Sequence, residues 1–236
     1  MMALPKLDAV RYTTELPVSK QKVDYRPFLV KEQKALLIAL ESEESSTTAN
    51  SLFDLIDACV YNTDEIKLNY LPMADVEWLF LQIRMKSVGE TAEILLPCDC
   101  HEEAQTPYQV DLRDSMIVEA KTDNNIKLTD SIGVILTYPS LNSVKNPTGD
   151  INTDEMFSMI ESCIESIYDG DEVHTRDDFN SKDLREFVES LTTAQFEQVQ
   201  KFFEDIPKLV NKVTYNCKEC DKYHERDLEG ISDFFG

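Results

Sequence analysis

Apolar and polar residues partly alternate from Arg11 to Arg26, and this alternation predicts a β-hairpin. Its strands are Arg11–Leu16 and Lys22–Arg26, joined by a turn through Pro17-Val18-Ser19-Lys20, with Tyr12, Leu16, Val23 and Tyr25 as the apolar positions. After Pro27 the period lengthens. Phe28, Leu29, Leu36, Leu37 and Leu40 form a stripe, with Lys31, Glu32, Gln33, Lys34 and Glu41 elsewhere, as in an amphipathic helix of about four turns. A polar break from Ser42 to Thr48, rich in capping residues, leads to a second helix carrying Leu52, Phe53, Leu55, Ile56, Cys59 and Val60. A third helix spans Leu71 to Gly89, with Pro72 suited to its first turn and Gly89 to its exit. Its apolar positions run nearly all the way round, which predicts a central, deeply buried helix.

From Glu90 the pattern becomes strand-like. Ala92-Glu93-Ile94-Leu95-Leu96 leads into one pair of cysteines and Tyr108-Gln109-Val110-Asp111-Leu112 leaves it. A further strand lies in Thr129–Pro139, with Val134 and Leu136 on one face, Ile135 on the other, and both faces covered. The next stretch reads as helical. One helix, capped by Asn152 or Thr153, runs through Met156, Phe157, Ile160, Cys163, Ile164 and Ile167; a second spans Ser181 to Leu191. A capping box, Thr192-Thr193-Ala194-Gln195, opens a third that carries Phe196, Val199, Phe202, Phe203 and Ile206. The polar stretch Asp169 to Asp178 is expected to be a mobile loop. Lys212-Val213-Thr214-Tyr215 returns to strand and delivers a second cysteine pair.

The fold class these elements predict is α+β: an N-terminal β-hairpin and helices, a small mixed sheet with a zinc-ribbon-like closure, and a C-terminal helical segment. Three parts are expected. Residues 1–89 form the hairpin and helical subdomain, residues 90–139 with 208–236 a β-rich subdomain, and residues 140–207 an inserted helical segment.

Composition narrows the class. With 42% hydrophobic residues and 29% charged ones in 236 residues, the chain can bury a core and is neither fibrous nor disordered. Lys and Arg total 23 against 45 Asp and Glu, a formal net charge of −22. Such a field repels nucleic acid and anionic lipid and favours docking onto a basic protein surface. No apolar run is long enough to span a membrane and the start lacks the features of a signal peptide, so the chain is expected in the cytoplasm.

The most specific chemistry lies in the cysteines. Cys98-x-Cys100 and Cys217-x-x-Cys220 each follow a strand, as two knuckles gripping one ion would. The ligand set expected is Cys98, Cys100, Cys217 and Cys220 around a structural zinc ion. The first pair is one residue shorter than the usual spacing, so His101 and His224 stand as alternates. A closed four-ligand site leaves no position for substrate. No helix begins at Cys217-x-x-Cys220 to lower a thiol pKa, which argues against a redox role. Cys59 and Cys163, set among apolar residues, read as buried core thiols. No glycine-rich phosphate loop, nucleophile elbow or His-Glu-x-x-His stretch occurs, and three histidines leave little material for acid–base chemistry, so no catalytic residue is expected and the chain is not read as an enzyme.

Several segments carry a family likeness. Ala3-Leu4-Pro5-Lys6-Leu7, Tyr25-Arg26-Pro27-Phe28-Leu29-Val30-Lys31-Glu32, Trp78 through Glu90, Ile132-Gly133-Val134 with Tyr138-Pro139, and Leu228 through Phe235 together resemble baseplate hub assembly proteins of T-even-like contractile-tailed phages. The resemblance implies a phage protein, made in the cytoplasm of the infected bacterium, that helps assemble the central hub of the tail baseplate in a chaperone-like way. A permanent structural subunit of the hub, in the virion tail baseplate, is the alternative it implies. Other phage baseplate hub proteins are the expected partners; neither nucleic acid nor membrane is, and a homo-oligomer is allowed. The contact surface is expected on the N-terminal hairpin, the first helix and Phe234-Phe235.

Overall fold

The computed structural model describes residues 9–41, 45–62, 64–143 and 152–230. In chain order the elements are β1 (Tyr12–Glu15), β2 (Lys22–Tyr25), α1 (Val30–Glu41), α2 (Ser45–Cys59), α3 (Met73–Ser87), β3 (Thr91–Cys98), β4 (His101–Asp111) and β5 (Met116–Val118). There follow β6 (Asn125–Lys127), β7 (Ile132–Leu136), α4 (Thr153–Cys163), β8 (Ile164–Asp169), β9 (Glu172–Thr175), α5 (Ser181–Glu189), α6 (Thr193–Glu204), β10 (Lys208–Asn216) and β11 (Tyr223–Glu229). The protein is α+β, but its described strands form several small sheets where one small mixed sheet was expected. They divide between two compact units. The first comprises Met1–Leu68, Ala74–Ile117 and Leu209–Gly236, and the second Asn69–Met73 and Val118–Lys208.

In the first unit, β1 and β2 pair antiparallel with Tyr12 opposite Tyr25, and those rings stack at 5.8 Å. The hairpin turn is fixed from outside. Asp75, fully buried at the start of α3, accepts hydrogen bonds from the backbone N–H groups of Val18 and Ser19, each at 2.8 Å. The Trp78 indole N–H reaches Thr14 Oγ1 at 3.3 Å from the same helix. Helix α1 begins where the Leu29 N–H donates to the Glu32 carboxylate, the half of a capping box that satisfies an otherwise orphaned donor. Glu32 also pairs with Arg26 at 2.9 Å, and Arg26 donates to the Ala58 carbonyl at 2.6 Å, so one guanidinium ties β2, α1 and α2 together.

The stripe expected on α1 is only partly its buried face. Leu36 and Ala39 are buried, whereas Leu29 and Leu37 are exposed. Leu29 precedes the first helical residue, and the inner face is shared with the paired Glu32, so the apolar period alone marks only part of that face. Helix α3 is central, as its pattern predicts: Ala74, Val76, Leu79, Phe80, Leu81 and Ile83 are all buried. Leu81 joins Ile94 and Leu96 of β3, Val110 of β4, Leu209, Val213 and Tyr215 of β10 and Leu228 of β11 in one core.

The second unit is built on the antiparallel sheet β6-β7-β8-β9. Val134 and Leu136 of β7 and Ile164 of β8 are buried with Ile160 of α4, Leu184 and Val188 of α5 and Val199 and Phe202 of α6. Gly133 is required by its neighbours, since a Cβ there would collide with the Tyr168 ring and the Ile126 carbonyl. Asn152, Asn180 and Thr192 cap α4, α5 and α6, each with a full capping box, as the spacing predicts for Thr192–Gln195.

Two expectations for this stretch are corrected. The helix read through Ile164 and Ile167 stops at Cys163, and Ile164–Asp169 is strand β8, paired with β7. Ile164 and Ile167 fit a helical stripe, but Ile164 and Ser166 are both buried on one pleat, and sheet pairing decides. The segment 140–207 is therefore not purely helical. Nor is Asp169 to Asp178 a loop: it turns at Gly170, forms β9 against β8 and closes in a short 3-10 turn over Arg176–Asp178. Cys59 and Cys163 are buried, as expected, and burial pushes both thiols up to about 11. The N-terminal segment Ala3–Leu7 and Phe234-Phe235 lie outside the described residues.

Candidate metal centre

Both cysteine pairs sit in hairpin turns. β3 and β4 pair in register from Thr91 opposite Asp111 to Pro97 opposite Gln105, then shift so that Cys98 opposes His101. Cys98 is thus the last residue of β3, and Asp99 and Cys100 form the turn. β10 and β11 pair from Val210 opposite Glu229 to Asn216 opposite Tyr223, leaving Cys217 to Lys222 as the second turn. It is closed by Cys217 N–H to the Lys222 carbonyl at 2.9 Å and Asp221 N–H to the Cys217 carbonyl at 2.8 Å. Asp221 takes the left-handed conformation, φ 56°, that so tight a turn demands and that Asp tolerates better than most residues.

The two turns are docked together. Tyr215 donates its hydroxyl to the Pro97 carbonyl, and the Lys218 N–H reaches Thr106 Oγ1 at 3.2 Å. As a result Cys98 Sγ lies 3.7 Å from Cys220 Sγ, across 122 residues of sequence. The sulfurs of Cys98, Cys100 and Cys220 all fall within 4.8 Å of one another. Cys217, buried, packs against Cys98 and Ala104. Backbone N–H groups point at the first sulfur of each pair, Cys100 N–H at Cys98 and Glu219 N–H at Cys217, both at 3.4 Å. At Cys217 the Glu219 and Cys220 N–H groups stabilise the thiolate and draw its pKa down to about 7. At Cys220 the Lys222 N–H acts in the same direction, but burial and the neighbouring thiols Cys98 and Cys217 prevail and push it up to about 11.

The alternates fare differently. His224, on β11, is buried; its Nε2 lies 3.3 Å from Cys98 Sγ and its ring stacks on Tyr215 at 5.0 Å. Asp99 places one carboxylate oxygen 3.6 Å from His224 Nδ1 and the other 3.2 Å from Arg226. The sequence gives no sign of Asp99, Tyr215 or Arg226 as parts of the site, because each gains its place only from the docking of the two turns. His101 belongs to β4, with its side chain outside the described residues.

The cluster is chemically suited to a metal ion. Thiolates about 2.3 Å from a tetrahedral ion stand roughly 3.8 Å apart, and the Cys98–Cys220 separation of 3.7 Å matches that edge. Among the described residues no helix is long and apolar enough to cross a membrane.

Comparison with known proteins is informative at the level of sequence. The family described as T4 bacteriophage base plate protein matches residues 9–236. The chain is 25% identical over 225 residues to the baseplate hub assembly protein gp26 of Enterobacteria phage T4, covering 95% of this chain and 97% of that one. No solved structure matches.

Proposed function

The chain belongs to the T4 bacteriophage base plate protein family, and on that premise we propose that it is an assembly factor of the tail baseplate hub. The observation that carries this reading is the end-to-end likeness to a hub assembly protein, which leaves no large segment of either chain unmatched. It acts by binding, not by catalysis: it holds a hub protein in an assembly-competent state in the cytoplasm of the infected cell. The net charge of −22 steers encounter with basic partner surfaces. The outward face of α1, where Val30, Leu37 and Ile38 are exposed, supplies apolar contact of the kind that sets affinity.

In this reading the cysteine cluster holds a structural zinc ion through Cys98, Cys100, Cys217 and Cys220. Zinc would supply the attraction that keeps four crowded thiolates together, and with every corner taken it activates no water. The chain's own residues make the site: two hairpin turns present the sulfurs, and backbone N–H groups offset their charge.

Affinity purification from infected cells tests the assembly role, together with mass spectrometry of finished particles. An assembly factor co-purifies with a baseplate hub protein and is missing from mature tails. Stoichiometric retention in finished tails makes it a permanent hub subunit instead. Absence of any hub protein among its partners overturns both.

A further inference from the structure

Four thiolates around a divalent ion carry a net charge of about −2, and here that charge sits in a chain already at −22. Something must offset it locally. Donors surround it: the Cys100 N–H on Cys98 and the Glu219 N–H on Cys217, each at 3.4 Å, the Cys220 N–H on Cys217, the Lys222 N–H on Cys220, and the Lys222 ammonium toward the Cys100 sulfur. His224 is also directed at the cluster, and the sequence leaves it as a competing ligand.

The geometry points to a different role: His224 is a positioning residue one step outside the metal, donating its Nε2–H to the Cys98 sulfur. This rests on the zinc reading of the cluster. The Nε2–Sγ separation of 3.3 Å is that of an N–H···S hydrogen bond. The sulfurs of Cys98, Cys100 and Cys220 lie within 4.8 Å of one another and Cys217 packs against Cys98, while the imidazole meets the cluster at Cys98, through Nε2. The ring cannot easily swing inward. It is pinned flat on Tyr215, 16° from parallel, and Tyr215 is itself tied to the Pro97 carbonyl one residue before Cys98. Asp99 faces the far edge of the ring and is paired with Arg226, so the set His224–Asp99–Arg226 links the first turn to β11. Groups that orient and charge-balance metal ligands in this way typically change metal affinity 10- to 100-fold when removed.

Zinc-edge X-ray absorption on the full-length protein, with zinc competition titrations, tests the assignment. Four sulfur scatterers at about 2.3 Å are expected for the unaltered chain and for His224→Gln. Zinc affinity should fall about 10- to 100-fold in His224→Ala and less in His224→Gln, whose amide can still donate. A shell of three sulfurs and one nitrogen in the unaltered chain makes His224 a ligand and overturns the proposal, whether or not the variants fold. Unchanged affinity in His224→Ala overturns it too. If the unaltered chain takes up no zinc, the zinc reading itself fails.

Discussion

Both units are tied by polar contacts between residues far apart in sequence, but the first gathers its ties around a buried carboxylate, a guanidinium and a thiol cluster, whereas the second adds three local caps and a ring-filled apolar core to the reach of Asp205 back to Lys121 and Thr122. In the first, Asp75 reaches back to Val18 and Ser19, Arg26 joins Glu32 to Ala58, and Cys98 meets Cys220 and His224. In the second, three capping boxes start three helices, and rings fill the middle: Tyr138 stacks on Phe202 at 5.4 Å, and Phe157 on Phe196 at 5.1 Å. The difference has a physical origin. The first unit is interrupted by a long excursion, residues 118–208, and its small sheets must be joined by contacts that survive that loop's entropy. In the second unit the elements run on within residues 118–208, and Asp205 and Gln195 tie its last helix back to Lys121, Thr122 and Leu128.

On the proposed zinc reading, the contrast can be broken most decisively by removing metal. A strong chelator should abolish protection of amides in β10 and β11 in hydrogen exchange while β7 and β8 keep theirs, because a structural zinc contributes on the order of 10 kcal/mol to the fold that holds it. Equal loss in both units would show that the closure is not peculiar to the first. Phe202→Ala probes the other side. Phe202 is fully buried between Tyr138 and Phe203, and its truncation should cost about 3–5 kcal/mol in denaturant unfolding without altering zinc content.

Asp75→Ala tests whether the first unit depends on single polar ties. Leaving the Val18 and Ser19 N–H groups without their acceptor should cost about 2–4 kcal/mol. A loss under about 0.5 kcal/mol, within the range of ordinary surface changes, would mean that the hairpin turn holds itself. The gentlest probe is a slope. Burial raises the Glu77 carboxyl from 4.5 to about 7, the Leu209 N–H opposing it and Glu229 adding to it. A carboxyl whose folded pKa is raised favours folding most below its unfolded value. Stability should therefore fall as pH rises from about 4.5 to about 7 and then level off. Glu77→Gln should flatten that part of the profile; an unchanged slope would assign it to other groups.

Most of the local architecture is legible in the sequence. The hairpin at Tyr12–Tyr25, the central α3, the cap at Thr192 and the strands leading to each cysteine pair all follow from period and capping chemistry, which act over a few residues. The errors fall where two periods fit the same residues. Ile164 and Ile167 satisfy both helix and strand, and pairing with β7 selects strand. Leu29 and Leu37 satisfy the α1 stripe, but Leu29 lies before the helix begins and the inner face is shared by Leu36, Ala39 and the paired Glu32, so both face water.

For the metal centre the division is equally sharp. By itself the sequence determined that four thiols stand in two strand-tethered pairs, because ligand type and spacing are local properties of the chain. Only the tertiary structure decided that Cys98 and Cys220 meet at 3.7 Å, that His224 borders the cluster, and that Asp99 and Arg226 attend it. Those relations span more than a hundred residues, and they exist only once the β3–β4 and β10–β11 hairpins share a core. No local pattern encodes that docking, because it is set by the packing of Ile94, Leu96, Val213 and Tyr215 around α3.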